Sequence, residues 1–366
     1  MDAAIHWQVL AGAGVLGLVA GFLAARTDFC TLGGVSDWMN IGDGGRMRAW
    51  LLAMATAMLG VGLLEYSAKL DLSQTFPPYR SAPFIGLRYL LGGLMFGIGM
   101  TLASGCVNKN LIRLGAGNLK SLVVLIVIGA SAYVMMWTDL YGNYLLPWMR
   151  FSTFAIPGGQ GLDSVIGALT GAGGGPGLRV GLALLIAGVL IVFCFASTEF
   201  RANPHHWGSG LGIGVLVVAG WWLTGPAMGA AWQDWAAMTD VPPLRVATQS
   251  LTFVSALGDG MRLLSEPTNS LLLTFSTVSA LGVVTGSFLN AVMTGGLRLE
   301  WFRDGATVRT QLIGAVLMGV GGSLAMGCTV GQGVTGVSTL ALGSFVTLAS
   351  IIAGSVVTMR IQYRLL

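Results

Sequence analysis

The sequence predicts an all-α integral membrane protein: about nine transmembrane helices, short re-entrant helices among them, and two halves related as an inverted pseudo-two-fold repeat. Three observations carry this. Hydrophobic residues fill 54% of the 366 positions and charged residues only 9%, with a mean hydropathy of +0.76. A soluble domain needs about a quarter charged residues to face water. Apolar stretches close to the ~20 residues that cross a bilayer recur along the whole chain. A Gly-rich segment ending in Gly-Cys occurs twice.

The expected spans are residues 8–25, 47–66, 86–104, 119–137, 178–197, 208–224, 270–288, 310–326 and 340–358. Met1 to His6 is mildly acidic and lacks a basic n-region, so the first span is expected to be retained. With nine spans, Lys and Arg divide 12 to 7 between the two sides. Arg26, Arg46, Lys109, Arg113 and Arg303 fall on the richer side, Arg88 and Arg245 on the other. The positive-inside rule then puts the N-terminus outside, in the periplasm, and the C-terminus in the cytoplasm. The net charge of +4 is spread thinly, with no basic run suited to nucleic acid. Two long connections, 139–177 and 225–266, hold Trp, Pro and the short apolar stretches 165–170 and 251–257. Amphipathic caps in the headgroup layer are expected there. One membrane domain accounts for residues 1–366, with halves of about 1–200 and 201–366.

The duplication sets Leu-Ala-Ser-Gly-Cys, ending at Cys106, against Leu-Ala-Met-Gly-Cys, ending at Cys328. Without a gap, Gly92/Gly314, Gly97/Gly319, Gly99/Gly321, Leu102/Leu324, Ala103/Ala325, Gly105/Gly327 and Cys106/Cys328 are identical. Composition alone gives about one or two such matches, so the segment is read as a duplication. A weaker echo pairs Gly17-x-x-x-Gly21 before Cys30 with Gly282-x-x-x-Gly286 before Asn290. After Cys106 and Cys328 come short, semi-polar, Gly-rich stretches too short to cross a bilayer. They suit re-entrant half-helices, whose irregular ends are tolerated only where protein or water surrounds them. Cys30-Thr-Leu-Gly-Gly begins a third, and Asn290 to Arg298 is a candidate fourth.

A half-helix starting inside a membrane aims unpaired N–H groups and a positive dipole end at the bilayer middle, which makes an anion site. A thiol there adds a soft group that suits sulfur. Glycine neighbours let a ligand approach the backbone. The candidate substrate contacts are Cys30, Cys106, Cys328, Gly105 and Gly327. Gly-x-x-x-Gly in a span more often means close helix packing, and a buried Cys is usually a small apolar residue. Cys194, inside an apolar run, fits that plain account and receives no role. Arg26-Thr-Asp28 before Cys30 reads as an internal ion pair or helix-end snorkelling. Lys109 and Arg113 read as positive-inside residues rather than anion ligands. No CxxC, Cys/His cluster or P-loop is present, and His205-His206 reads as a solvated loop pair, so no metal, cofactor or catalytic residue is expected.

With Arg-Thr-Asp-Phe-Cys at 26–30, Leu-Ala-Ser-Gly-Cys at 102–106 and Leu-Ala-Met-Gly-Cys at 324–328, the chain resembles the YeeE/YedE family of bacterial sulfur transporters over nearly its whole length. The resemblance implies thiosulfate uptake across the inner membrane through an hourglass of spans and re-entrant helices. It implies a relay along the thiols of Cys30, Cys106 and Cys328 by S–H···S contacts, without covalent capture. It also implies a small TusA-like sulfurtransferase partner on the cytoplasmic side, expected to be separate from this chain. Related branches serve selenium metabolism.

Two alternatives stand beside this reading. A membrane thiol oxidoreductase would want a close dithiol and a redox partner. A permease for another sulfur or selenium compound, or for another small anion, would have incidental cysteines.

Overall fold

The computed structural model describes residues 4–171, 174–302 and 304–365; Arg303, counted above among the basic residues, and the first three residues lie outside them. Helices α1 (Ala4–Thr27), α2 (Thr31–Asn40), α3 (Gly45–Tyr66), α4 (Gly86–Leu102), α5 (Val107–Gly115) and α6 (Leu119–Trp137) fill the first third of the chain. Short α7 (Leu146–Met149) and α8 (Leu162–Thr170) lead to α9 (Pro176–Phe195). Then follow α10 (Thr198–Ala202), α11 (Pro204–Thr224), α12 (Ala227–Ala237), α13 (Val254–Ser265), α14 (Phe275–Thr294), α15 (Gly305–Leu324) and α16 (Leu342–Leu365). One small hairpin pairs β1 (Pro83–Ile85) antiparallel with β2 (Thr153–Ala155).

Among the described residues, eight helical stretches are long and apolar enough to cross a membrane. They contain α1, α3, α4, α6, α9, α11, α14 and α16, and in two of them a span continues into a short helix, α2 or α5. The ninth expected segment, 310–326, is the 20-residue α15. Arg309, Gln311 and its run of small residues make it less apolar than the other eight. Asp304 caps its start, accepting from the Thr307 amide and hydroxyl at 2.7 Å each. Those donors pull the exposed Asp304 carboxyl below the usual aspartate range. The cap is therefore present above the ordinary aspartate pKa and is lost as the pH falls through the lowered value.

Local chemistry moves two boundaries. Asn203 caps α11 by accepting from the His205 amide, and Pro204 takes the first helical position. His205-His206 thus belongs to a helix start rather than a loop. Thr274 caps α14, so that helix begins five residues after the expected 270.

Packing pairs the helices in matched sets. Helix α1 lies along α14 in the same direction, Gly17 and Gly21 pressing on the carbonyls of Ser279 and Val283. The weak glycine echo is therefore the two faces of one helix–helix contact. In the same way α3 runs along α11, with Ala49 at Gly210 and Ala53 at Gly214. Helix α4 runs along α16, where Thr101 and Ser355 share a 2.9 Å hydrogen bond, and α15 packs on α6.

The duplicated helices α4 and α15 meet each other head to tail. A Cβ on Gly99 would stand 2.5 Å from the Gly314 carbonyl, and one on Gly314 would stand 2.6 Å from the Gly99 carbonyl. Gly92 and Gly321 meet likewise, at 2.8 and 2.7 Å. These are reciprocal contacts between aligned positions of the repeated segment. The order of contacts makes the pair antiparallel. Helices α1 and α11 repeat the pattern, Gly12 lying on Leu223 and Gly212 on Leu23.

A side chain at this crossing has nowhere to go, because backbone blocks it from both sides. Gly314→Leu is expected to destabilise the protein by about 1–3 kcal/mol or more, read as a lower melting temperature in detergent. Gly188→Ala, with nothing within 4 Å of the new methyl, is expected to melt as the parent does.

Candidate functional site

Three helices end alike, and each ending presents a cysteine. After α4 the chain turns through Ser104, in a left-handed backbone conformation, and the Gly105 amide bonds back to the Met100 carbonyl at 2.9 Å. After α15 it turns through left-handed Met326, and the Gly327 amide reaches the Gly322 carbonyl at 2.8 Å. After α1 it turns through left-handed Asp28, and the Phe29 amide reaches the Ala24 carbonyl at 3.1 Å. This six-to-one closure satisfies the last helical carbonyls. The next residue in each case is Cys106, Cys328 or Cys30, at the start of a short helix.

Each of these short helices is half a span in length or less. Cys30 caps α2, its Sγ accepting from the Gly33 amide at 3.3 Å. Cys106 is the capping residue of α5. Cys328 opens a helical segment at 329–338, widened to a π-turn over Gly331–Gly336, and its Sγ accepts from the Gly331 amide at 3.4 Å. All four cysteines are free thiols and buried. Cys106 is an electrostatic neighbour of both Cys30 and Cys328, and the Thr329 hydroxyl lies beside its thiol. The structure thus gathers Cys30, Cys106 and Cys328. Cys194 stands apart on α9, donating to the Arg48 carbonyl at 3.2 Å.

Matched amides lock the two duplicated half-helices. Asn110 donates to the carbonyls of Gly105 and Cys106 at 3.0 and 3.1 Å. At the aligned position, Gln332 donates to the Ala325 carbonyl at 2.5 Å and accepts from the Ser344 hydroxyl at 2.6 Å. Tyr79 donates to the Gly331 carbonyl at 2.6 Å, and Thr335 donates to the Leu251 carbonyl at 2.7 Å. Gly105 and Gly327 back onto these clamps: a Cβ would stand 3.2 Å from Lys109 Cγ and 3.1 Å from Gln332 Cγ, respectively.

The fourth half-helix is not at Asn290, which lies inside the continuous α14. A further short helix is α13, whose capping residue Phe253 lies beside Cys328. The stretch before it, Gln249 to Phe253, is buried throughout. Residues 251–257 therefore enter the core and do not lie as an amphipathic cap at the interface. Polar Gln249, Ser250 and Thr252 alternating with Leu251 and Phe253 were the available signal. Polar residues so close to an apolar run suit protein burial better than a lipid surface.

Two cavities lie at opposite ends of the antiparallel α4–α15 pair. One, of about 270 Å³, adjoins Gly327 and is lined by Arg88, Arg245, Thr252, Ser255 and Met326. The hydroxyls of Thr252 and Ser255, and that of Thr329 beside Cys106, are buried without a protein partner. Arg245 is fixed by the fully buried Asp259 at 2.6 Å and lies 4.2 Å over the Phe76 ring. The other cavity, of about 430 Å³, adjoins Ser104 and is lined by Asn110, Arg113, Lys120, Arg298 and Glu300. Beside Cys30, Arg46 holds Asp37 through two bonds of 2.5 and 2.8 Å and Asp28 through one of 2.7 Å, while Lys109 also pairs with Asp28. Asp28 therefore pairs across the fold, not with Arg26.

The family model described as "Sulphur transport" matches residues 26–357. The thiosulfate transporter TsuA of Spirochaeta thermophila is 23% identical over 350 residues, covering 93% of this chain and 95% of that protein. The thiosulfate transporter TsuA of Escherichia coli is 22% identical over 351 residues, covering 93% of this chain and 91% of that protein.

Gln332→Leu strands the Ala325 carbonyl and the Ser344 hydroxyl in a buried place, at a cost of about 1–3 kcal/mol for each group. A clear fall in melting temperature is expected. Thr329→Val removes a hydroxyl that has no protein partner, and its melting curve is expected to overlay that of the parent.

Proposed function

The chain belongs to the sulphur transport family, and from that footing we propose that it is a permease of the bacterial inner membrane for thiosulfate, which passes the thiols of Cys328, Cys106 and Cys30 in turn. The observation that carries this reading is the meeting of short helical N-termini on three buried thiols inside a protein of membrane-spanning helices. Unpaired amides and dipole ends favour an anion, and the thiols favour one whose surface includes a soft sulfur. The two relatives being thiosulfate transporters supports the choice of cargo.

In this reading the protein has nine spans, α15 included, and the antiparallel pairing of α4 with α15 belongs to an inverted repeat. The N-terminus is periplasmic and the C-terminus cytoplasmic. The cavity at Gly327 is then the outer entrance, where Arg88 and Arg245 draw the anion in and the spare hydroxyls of Thr252 and Ser255 receive it. Gly105 and Gly327 keep the backbone bare beside the path. Each thiol holds the ion weakly by S–H···S contact, with no covalent bond, so that it can move on. A separate TusA-like sulfurtransferase receives it on the cytoplasmic side.

The test is sulfur-limited growth on thiosulfate, with uptake of radiolabelled thiosulfate, in cells that depend on this protein. Cys106→Ala and Cys328→Ala are each expected to lower uptake at least about tenfold, equivalent to roughly 1.4 kcal/mol on the barrier. Cys194→Ala is expected to match the parent. Unchanged uptake in the first two variants at equal expression removes the thiol relay.

A further inference from the structure

We propose that Lys109 and Arg46 form an anion-binding station beside Cys30, and that the Asp28 carboxylate fills it as a tethered competitor when no substrate is there. The proposal rests on the permease reading for its purpose, but not for its geometry.

Asp28, Ser104 and Met326 occupy the same place in three equivalent turns, two residues before a cysteine, all in the left-handed conformation. Only the first carries a charge, and only there do two cations converge on the side chain. The Arg46 guanidinium lies over the first turn of α2. A Cβ on Gly33 would stand 2.6 Å from Arg46 Nη1, and the Gly33 amide is the one that Cys30 Sγ accepts from. The carboxylate, both cations and the thiol thus share one small volume.

Exposure ranks the groups in the order needed for displacement. The Asp28 side chain is 57% exposed, that of Arg46 28% and that of Lys109 17%. The carboxylate is outermost and can turn into water with little loss, since a solvent-exposed ion pair is weak. Arg46 keeps its place without it, because its Nε and Nη2 are held by Asp37. A dianion carries twice the charge of the aspartate and accepts from both cations at once. Asp28, Asp37, Arg46 and Lys109 together sum to zero; with Asp28 swung away the other three sum to one positive charge. A passing dianion therefore meets a site that closes behind it when Asp28 returns.

Sulfate serves as the probe, with the full-length protein in detergent and ionic strength held constant with sodium chloride. Asp28→Asn keeps the shape and tolerates the left-handed backbone, but leaves both cations uncovered. It is expected to gain a saturable rise in melting temperature with sulfate, at a midpoint about tenfold lower than the parent's. Asp28→Asn combined with Lys109→Gln is expected to lose that gain. Identical sulfate responses in the parent and Asp28→Asn overturn the proposal. Should Asp28→Asn not fold, Lys109→Gln alone is expected to weaken the parent's sulfate response, and no change overturns the proposal equally. Because the assay involves no transport, a parent that fails to carry thiosulfate while Asp28→Asn gains sulfate binding sinks the permease reading and supports the station.

Discussion

Where a helix stops inside a buried core, its last carbonyls and the first amides of the next segment have no water to bond with. The centre of this protein is organised around that constraint. Each of three long helices closes its end by a left-handed residue and an amide that reaches back five positions, at Phe29, Gly105 and Gly327. That closure needs only three or four residues, so the next helix can begin almost at once. The first residue of the new helix is where free amides collect, and a cysteine stands there each time. Position and chemistry are thus products of the same turn.

The amides that remain are dealt with unevenly. Asn110 and Gln332 close the carbonyl side of each duplicated turn from matched positions, the second through a longer arm and a widened helix. Cys30 and Cys328 accept from the amide three residues on, whereas Cys106 caps its helix without such a bond. The Thr329 hydroxyl lies beside the middle thiol.

Much of this was legible in the chain itself. The apolar segments located the long helices, and the repeated Gly-Cys located two turns and their half-helices, because glycine spacing survives duplication even where side chains drift. Three features were less legible. Helix α15 is diluted by Arg309, Gln311 and small residues that serve packing, so hydropathy alone ranks it below the other eight. Helix α13 has neither glycine nor cysteine at its start, where Phe253 stands instead. The glycines Gly17, Gly21, Gly282 and Gly286 prove to face one another across a single contact, which their sequence spacing alone did not reveal. Asp28 drew attention through its neighbour Arg26, yet its partners lie 18 and 81 residues away, beyond the reach of any local pattern.

The crossing of α4 and α15 bears on how such a protein moves. Backbone touches backbone at two reciprocal glycine pairs, with no side chain between to act as a bearing. Rocking α4 against α15 would open that seam. Motion is left to the parts outside it: side chains, turns and the short helices that hang from them. Under the permease reading, the seam is a stationary spindle, and the short helices and turns beside it are the parts left free to move.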